Sequence, residues 1–321
     1  MLSRHYPRTS QRGVALAILV WFMAAMSILV AGIVMQARVD IKLAQLHANM
    51  ARVEATADGA IQLALADLKL RELNGEFSPR AVSYASHALG DRDVLVIFTP
   101  LAGLVDLNLA TQELLFALFY SIDNVDEATA DELSANVVKW RSPDALAWEE
   151  ESEVGAESGD SPGMTTARHG RFEVIEDLLL VEGIDRRIFE TIRDSVYVEP
   201  VGQAGVDWMG APVAVLQAVG GMDKATAMDV AALRMTTNVE ELVAPEGVDL
   251  NFQATTESSY YRVDALMVSG DSVYRRRRWV DRAITGADGL PWRFVRTEAV
   301  RAVPDDDFHS LAMKEGLHAG N

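Results

Sequence analysis

Between Gly13 and Ala37 the chain carries no charged side chain (GVALAILVWFMAAMSILVAGIVMQA). At about 1.5 Å of helical rise per residue this run covers the roughly 30 Å hydrocarbon thickness of a bilayer. Arg4, Arg8 and Arg12 precede it with no acid among them. That bias predicts a cytoplasmic N-terminus, with the body of the protein on the far side. The helical pattern does not end with the apolar run. Val39, Leu43, Leu46, Met50, Val53, Ala57, Ile61, Leu65 and Leu68 follow at steps of three and four. The spacing predicts one amphipathic helix continuing to about Leu73, with no Pro in it and Gly59 as its one Gly.

An ordinary single-pass anchor would account for the apolar run. A cleaved secretory signal fits less well, because its apolar core is about 7–15 residues and ends in small residues of the A-x-A kind. A third reading uses Gly13, which follows Arg12 at the boundary between polar and apolar sequence. This arrangement resembles the class III leader of type IV pilins and of the pseudopilins of type II secretion. On that analogy the chain is cut after Gly13, Val14 becomes the new N-terminus, and the hydrophobic helix is retained.

Composition narrows the function classes. The 321-residue chain has a formal net charge of -18, which disfavours a general nucleic-acid binder that must neutralise phosphates. It has no Cys, so disulfides, thiolate metal sites and cysteine nucleophiles are excluded.

Further along, Arg80–Ala88 and Val94–Pro100 read as strands joined at Gly90-Asp91. Helices are predicted at Thr111–Tyr120, Ala128–Trp140, Phe172–Val181, Arg186–Asp194, Ala211–Val219 and Asp223–Arg234. The acidic, Gly-containing run Glu149–Gly163 between them reads as a loop. Strands return from Ser259 and from Ser272, flanking the hairpin signal Gly270-Asp271, and again from Pro291. β segments thus bracket an α block. This order predicts an α+β fold: a long N-terminal helix packed on an antiparallel sheet, with a large all-α insertion. The expected divisions are a leader at 1–13, a membrane segment at 14–37, the two halves of the sheet domain at 38–104 and 245–303, the insertion at 105–244 and a tail at 304–321.

The insertion contains a faint repeat. VDLNLATQELLFAL from Val105 and VDWMGAPVAVLQAV from Val206 align without gaps. Each is followed by an ATA-led helix ending in Arg, which suggests duplication. Asp106 and Asn108 are expected to cap a helix beginning near Ala110.

Several segments in this order are similar to the K-type minor pseudopilins, general secretion pathway protein K. They are RGVALAILVW, VDLNLATQELL, VVKWRSPD, GAES, RFEVIEDLLLVEGIDRRIFETIRDSVYV and TTESSYYRVDAL. The second repeat departs from the family pattern V-N-x-N-T-A. Most pilin-like subunits carry Glu at the fifth mature position, where this chain has Ile18; its absence is characteristic of the K type. The resemblance implies processing by a prepilin peptidase at Gly13 and Val14, with methylation of the new terminus. It implies an inner-membrane subunit with a periplasmic domain, working with the assembly platform and with I-type and J-type minor pseudopilins at the pseudopilus tip. It implies no catalytic residues and no nucleic-acid partner. It also implies calcium in the helical domain, with Asp144, Glu157 and Asp160 as the ligands expected among the loop carboxylates, which also include Glu149, Glu150 and Glu151.

Other motifs have weaker chemical readings. Gly183-Ile184 followed by Arg186 and Arg187 resembles a helix-hairpin-helix unit of DNA-binding proteins. A membrane protein with an extracytoplasmic domain of that kind is the alternative, although the acidic balance would repel phosphate. Gly159–Gly163 matches G-x-S-x-G, but Pro162 lacks the N–H that a nucleophile elbow needs as oxyanion donor. The run Arg275–Arg278 in a strand would send Arg276 and Arg278 to one face and Arg275 and Arg277 to the other. A solvated edge strand, or pairing with the acidic surface, is its expected role.

Overall fold

The computed structural model describes residues 12–75, 80–142, 170–198, 202–236, 244, 248–254 and 258–303. The acidic loop and the tail from Pro304 lie outside these. The chain divides into two compact units, Met1–Ala55 and Thr56–Asn321.

One helix, α1 (Arg12–Leu73), supplies the described part of the first unit and enters the second. Its span from Ala15 is long and apolar enough to cross a membrane. Leu16, Ile18, Trp21, Ile28, Ile33 and Met35 are all exposed, a surface that suits lipid and not water. Ala57, Ala60, Ile61, Ala64, Leu65 and Leu68, in the second unit, are buried. The change follows the sequence, because beyond Arg38 apolar residues recur on a stripe and no longer surround the helix.

The sheet is built from β1 (Ser83–Leu89), β2 (Arg92–Pro100), β5 (Tyr260–Ser269), β6 (Ser272–Asp281), β7 (Arg293–Thr297) and β8 (Arg301–Val303). Its order is β1-β2-β5-β6-β7, with β8 also on β6, and every pairing is antiparallel. Both hairpins turn on Gly-Asp, with Gly90 and Gly270 at φ +69° and +62°, a backbone region that glycine enters without steric penalty. Since β2 pairs with β5 over seven residue pairs from Val94↔Met267 to Pro100↔Tyr261, everything between them is an insertion into one sheet. The segment from Pro291 gives two short strands, not one, because β7 and β8 pair with opposite ends of β6.

The insertion contains α2 (Gln112–Tyr120), α3 (Glu127–Arg141), α4 (Arg186–Ile192), α5 (Val213–Gly220) and α6 (Lys224–Thr236). It also holds β3 (Val105–Asp106) and β4 (Val196–Tyr197), which form a small parallel pair. A continuous core runs through it from Val105 and Leu114 to Leu216 and Val248. The segment expected as a helix at Phe172–Val181 is a 3₁₀ turn at Ile175–Leu180. Its bonds span three residues, from the N–H of Asp177 to the carbonyl of Val174 and from the N–H of Val181 to the carbonyl of Leu178. The Asp177 carboxylate caps its start by accepting the N–H groups of Glu173 and Val174. Asp106 and Asn108 are not helix caps either. α2 starts at Gln112, with the Thr111 hydroxyl accepting from the N–H of Leu114. Asn108 instead clamps Phe172, giving to its carbonyl and accepting from its N–H.

The duplication is visible in the bonding. Asp106 accepts from the N–H of Asn108, and Asp207 from that of Met209. Arg141 ends α3 and donates to the carbonyls of Leu107 and Ala110. Arg234, near the end of α6, donates to the aligned carbonyls of Trp208 and Ala211, and also to Met209. Asp126 and Asp223 cap the two ATA-led helices through Thr129 and Thr226. Val105 pairs in parallel with Val196, and Val206 with Gln253. The shared signature is thus an Arg that gathers the carbonyls of a turn two elements earlier.

Candidate assembly site

The four consecutive arginines of β6 are not on an edge. β6 lies inside the sheet, between β5 and the β7–β8 edge, and Arg276 and Arg277 are buried. Strand alternation divides them as the pleat requires, and each pair meets its own carboxylate.

Arg276 and Arg278 face α1. Arg276 binds Asp58 in bidentate fashion at 2.9 and 3.1 Å, and also donates to the carbonyl of Glu298. Arg278 approaches Asp58 at 3.7 Å and lies over the Phe294 ring at 3.4 Å. A fork matching a carboxylate fixes orientation as well as charge. Asp58 sits between the buried Ala57 and Ala60, so this contact sets the rotation of α1 over the sheet. Glu72, one end of the helix further on, pairs with Arg282.

Arg275 and Arg277 face the insertion. Asp194, between α4 and β4, receives Arg275 at 2.8 Å, Arg277 at 2.6 Å and Arg301 at 3.5 Å. Its backbone carbonyl accepts from Arg262. Asp264 of β5, buried beside them, takes Arg277 at 2.6 Å and Arg262 at 3.1 Å. The register places Asp264 opposite Arg277. Burial works to raise the pKa of both carboxyls, but the surrounding guanidiniums, Arg277 first, hold both well below the usual carboxylate range. Arg262 has less compensation: burial and the neighbouring Arg277 push it down to about 10. It remains charged at neutral pH.

Two further ties hold the insertion. Arg80, just before β1, binds the buried Asp207 of the second repeat at 2.7 Å. Arg296 of β7 reaches Glu176 at 3.5 Å. Asp106, the counterpart of Asp207 in the first repeat, has Arg171 and Arg141 nearby but no arginine bonded to it among the described residues, and its Oδ2 is buried with no hydrogen-bond partner there. Burial accordingly raises its pKa. Arg234, enclosed by its carbonyls, is pushed down to about 10 by the same desolvation.

Gly13 and Val14 fall in the first turn of α1, and Ile18 is exposed on that helix. These three positions stand together only by being close in sequence. Asp144, Glu157 and Asp160 lie outside the described residues, as do Glu149–Glu151 and the Gly159–Gly163 motif. Among the described residues no group of three or more His, Asp or Glu could hold a metal ion. Of the hairpin cations, Arg187 donates to the carbonyl of Asp123, while Arg186 is exposed and 3.6 Å from Glu190. The partners Asp58, Asp194 and Asp264 escape a reading of the sequence. One signal was available, since Arg262-x-Asp264 in an otherwise apolar strand lies across a hairpin from Arg275-x-Arg277.

No protein-family description matches the sequence, and no curated protein matches it significantly. Among solved structures the chain is similar to a chain of the GspK-GspI-GspJ complex from the type 2 secretion system of enterotoxigenic Escherichia coli. The two share 16% identity at a TM-score of 0.50, over 81% of this chain and 98% of the other. At that identity the likeness shows a common fold: a long helix on an antiparallel sheet, with further helices inserted.

Proposed function

We propose that this chain is a K-type minor pseudopilin of a type II secretion system, a non-enzymatic subunit that caps the pseudopilus tip and starts its assembly. The observation that carries the proposal is α1 itself. One helix begins with a lipid-compatible surface and ends with a buried stripe on a sheet that is interrupted by a helical insertion. A membrane anchor continuous with the core helix of its own domain suits a subunit that is drawn from a bilayer into a filament. Ile18 supports the tip position. An ordinary stacking subunit needs a carboxylate there to meet the terminal amine of the subunit ahead, whereas a subunit with none ahead does not, and an unpaired buried charge would be unfavourable. The bulk of the insertion supports it too, since a cap need not fit inside a thin helical repeat. The partners are then the I-type and J-type minor pseudopilins, the prepilin peptidase and the inner-membrane platform. The body is periplasmic, and any calcium belongs to the Asp144–Asp160 loop.

Mass spectrometry of the membrane-extracted protein tests this reading. The expected N-terminus is Val14, carrying a methyl group; an intact Met1 would sink it. Nucleic-acid binding is the weaker alternative, since a net charge of -18 would repel phosphate.

A further inference from the structure

The two edges of the sheet differ in how they are defended. The β7–β8 edge carries Arg293, Arg296 and Arg301, has a register shift at Trp279/Val280, and is split into two short strands. Charge, irregularity and short length are the means by which proteins keep other strands from adding to an edge. The β1 edge has only one basic side chain, His87, which lies 3.6 Å from Asp67 of α1. Its seven residues, SYASHAL, contain no Lys, Arg, Asp, Glu, Pro or Gly, in a chain with 47 acidic residues. It pairs with β2 over its full length in unbroken register, and no other described strand pairs with it. Ser86 and Ala88 are exposed on it.

We propose that β1 is a strand-addition site for an uncharged, extended segment of a different pilin-like subunit, not a second copy of this chain, anchored in the same membrane. This rests on the assembly reading above. The choice of partner follows from the size of the edge. One seven-residue strand offers far less than the roughly 1,200 Å² that a stable interface between free proteins buries. Such a contact is productive only for a partner already held nearby, and a shared bilayer supplies that effective concentration. A soluble client protein gains no such help. The chemistry is backbone pairing, with the small exposed side chains of Ser86 and Ala88 leaving room for the incoming strand.

The test uses the full-length chain co-expressed with I-type and J-type pseudopilins, carrying a photo-cross-linker at Ala88 or, on the other edge, at Val295. We expect cross-links to one of these subunits from Ala88 and none from Val295. S86K/A88K should lower co-purification of that subunit about tenfold, while S86T/A88T retains it. Cross-linking from Val295 alone, unchanged co-purification of the lysine variant, or cross-links only to a second copy of this chain would overturn the strand-addition site and leave the assembly reading standing. If neither subunit co-purifies with the unsubstituted chain, the assembly reading itself fails.

Discussion

Arg277 shows what a single side chain does in this fold. Its guanidinium bonds Asp264 twice and Asp194 once while being almost wholly enclosed. Removing one partner of a buried ion pair leaves uncompensated charge, typically worth about 3–5 kcal/mol. Arg277→Ala should therefore lower stability by about that amount in urea unfolding, and Arg276→Ala by less, because Asp58 is partly solvated. The pH dependence has a definite sign. Both Asp194 and Asp264 have folded pKa values below their unfolded ones. Their contribution is present above the unfolded value of about 4 and is lost as pH falls through the lowered values. Arg277→Ala removes the main cation that opposes burial, so the pKa values of Asp264 and Asp194 rise in that variant. The stability difference from the unsubstituted chain should therefore be largest near pH 8 and shrink as acid protonates those carboxyls, and a difference that grows on acidification would contradict the assignment. Gly103 is constrained for another reason: a Cβ there would lie 2.0 Å from the carbonyl oxygen of Gly210. Any side chain would force the two repeats' entry turns apart.

Among the elements, the repeated helical unit makes its own prediction. Arg234 satisfies three carbonyls inside the second repeat, and leaving buried carbonyls unpaired costs about 1–3 kcal/mol each. Arg234→Met should destabilise the insertion by several kcal/mol, and Arg141→Met by less, since Arg141 serves two carbonyls and is less enclosed. Hydrogen exchange of α5 and α6 would register the first change, and that of α2 and α3 the second. If both substitutions loosened all four helices equally, the repeats would be one cooperative block and not two linked units. The Thr111 cap is a smaller effect, about 1 kcal/mol for Thr111→Ala. These elements also show where reading the sequence succeeds. The ATA-led helices, the Gly-Asp hairpins and the repeat all come from signals within a few residues. The 3₁₀ turn at Ile175–Leu180 does not, because its apolar spacing fits an α-helix equally well, and Phe172 just before it is held by Asn108, 64 residues earlier in the chain.

At the level of the whole molecule, α1 joins two environments. Its buried residues in the second unit behave as core, so Leu65→Ala should cost about 2–5 kcal/mol by thermal or urea unfolding. Leu29→Ala, in the exposed apolar run, should leave that transition unmoved. Deleting residues 1–37 should move the chain from the membrane fraction to the soluble fraction with its unfolding midpoint nearly intact. Retention on membranes after that deletion would mean that a second surface binds lipid.

The sequence alone determined the long helix, its change from all-round apolar to one-sided, the hairpins, the duplicated unit and the order strand–helix–strand. Each is written in periodicity or in turn chemistry, and those act over a few residues. Only the tertiary structure decided that β6 lies within the sheet and which carboxylates its arginines meet. Arg276 and Asp58 are 218 residues apart, and Arg277 and Asp194 are 83 apart. A strand's alternation reveals that its arginines face two ways, but a charged side chain carries no mark of its partner. Which acid is near enough to justify burying a guanidinium is settled when the chain closes on itself.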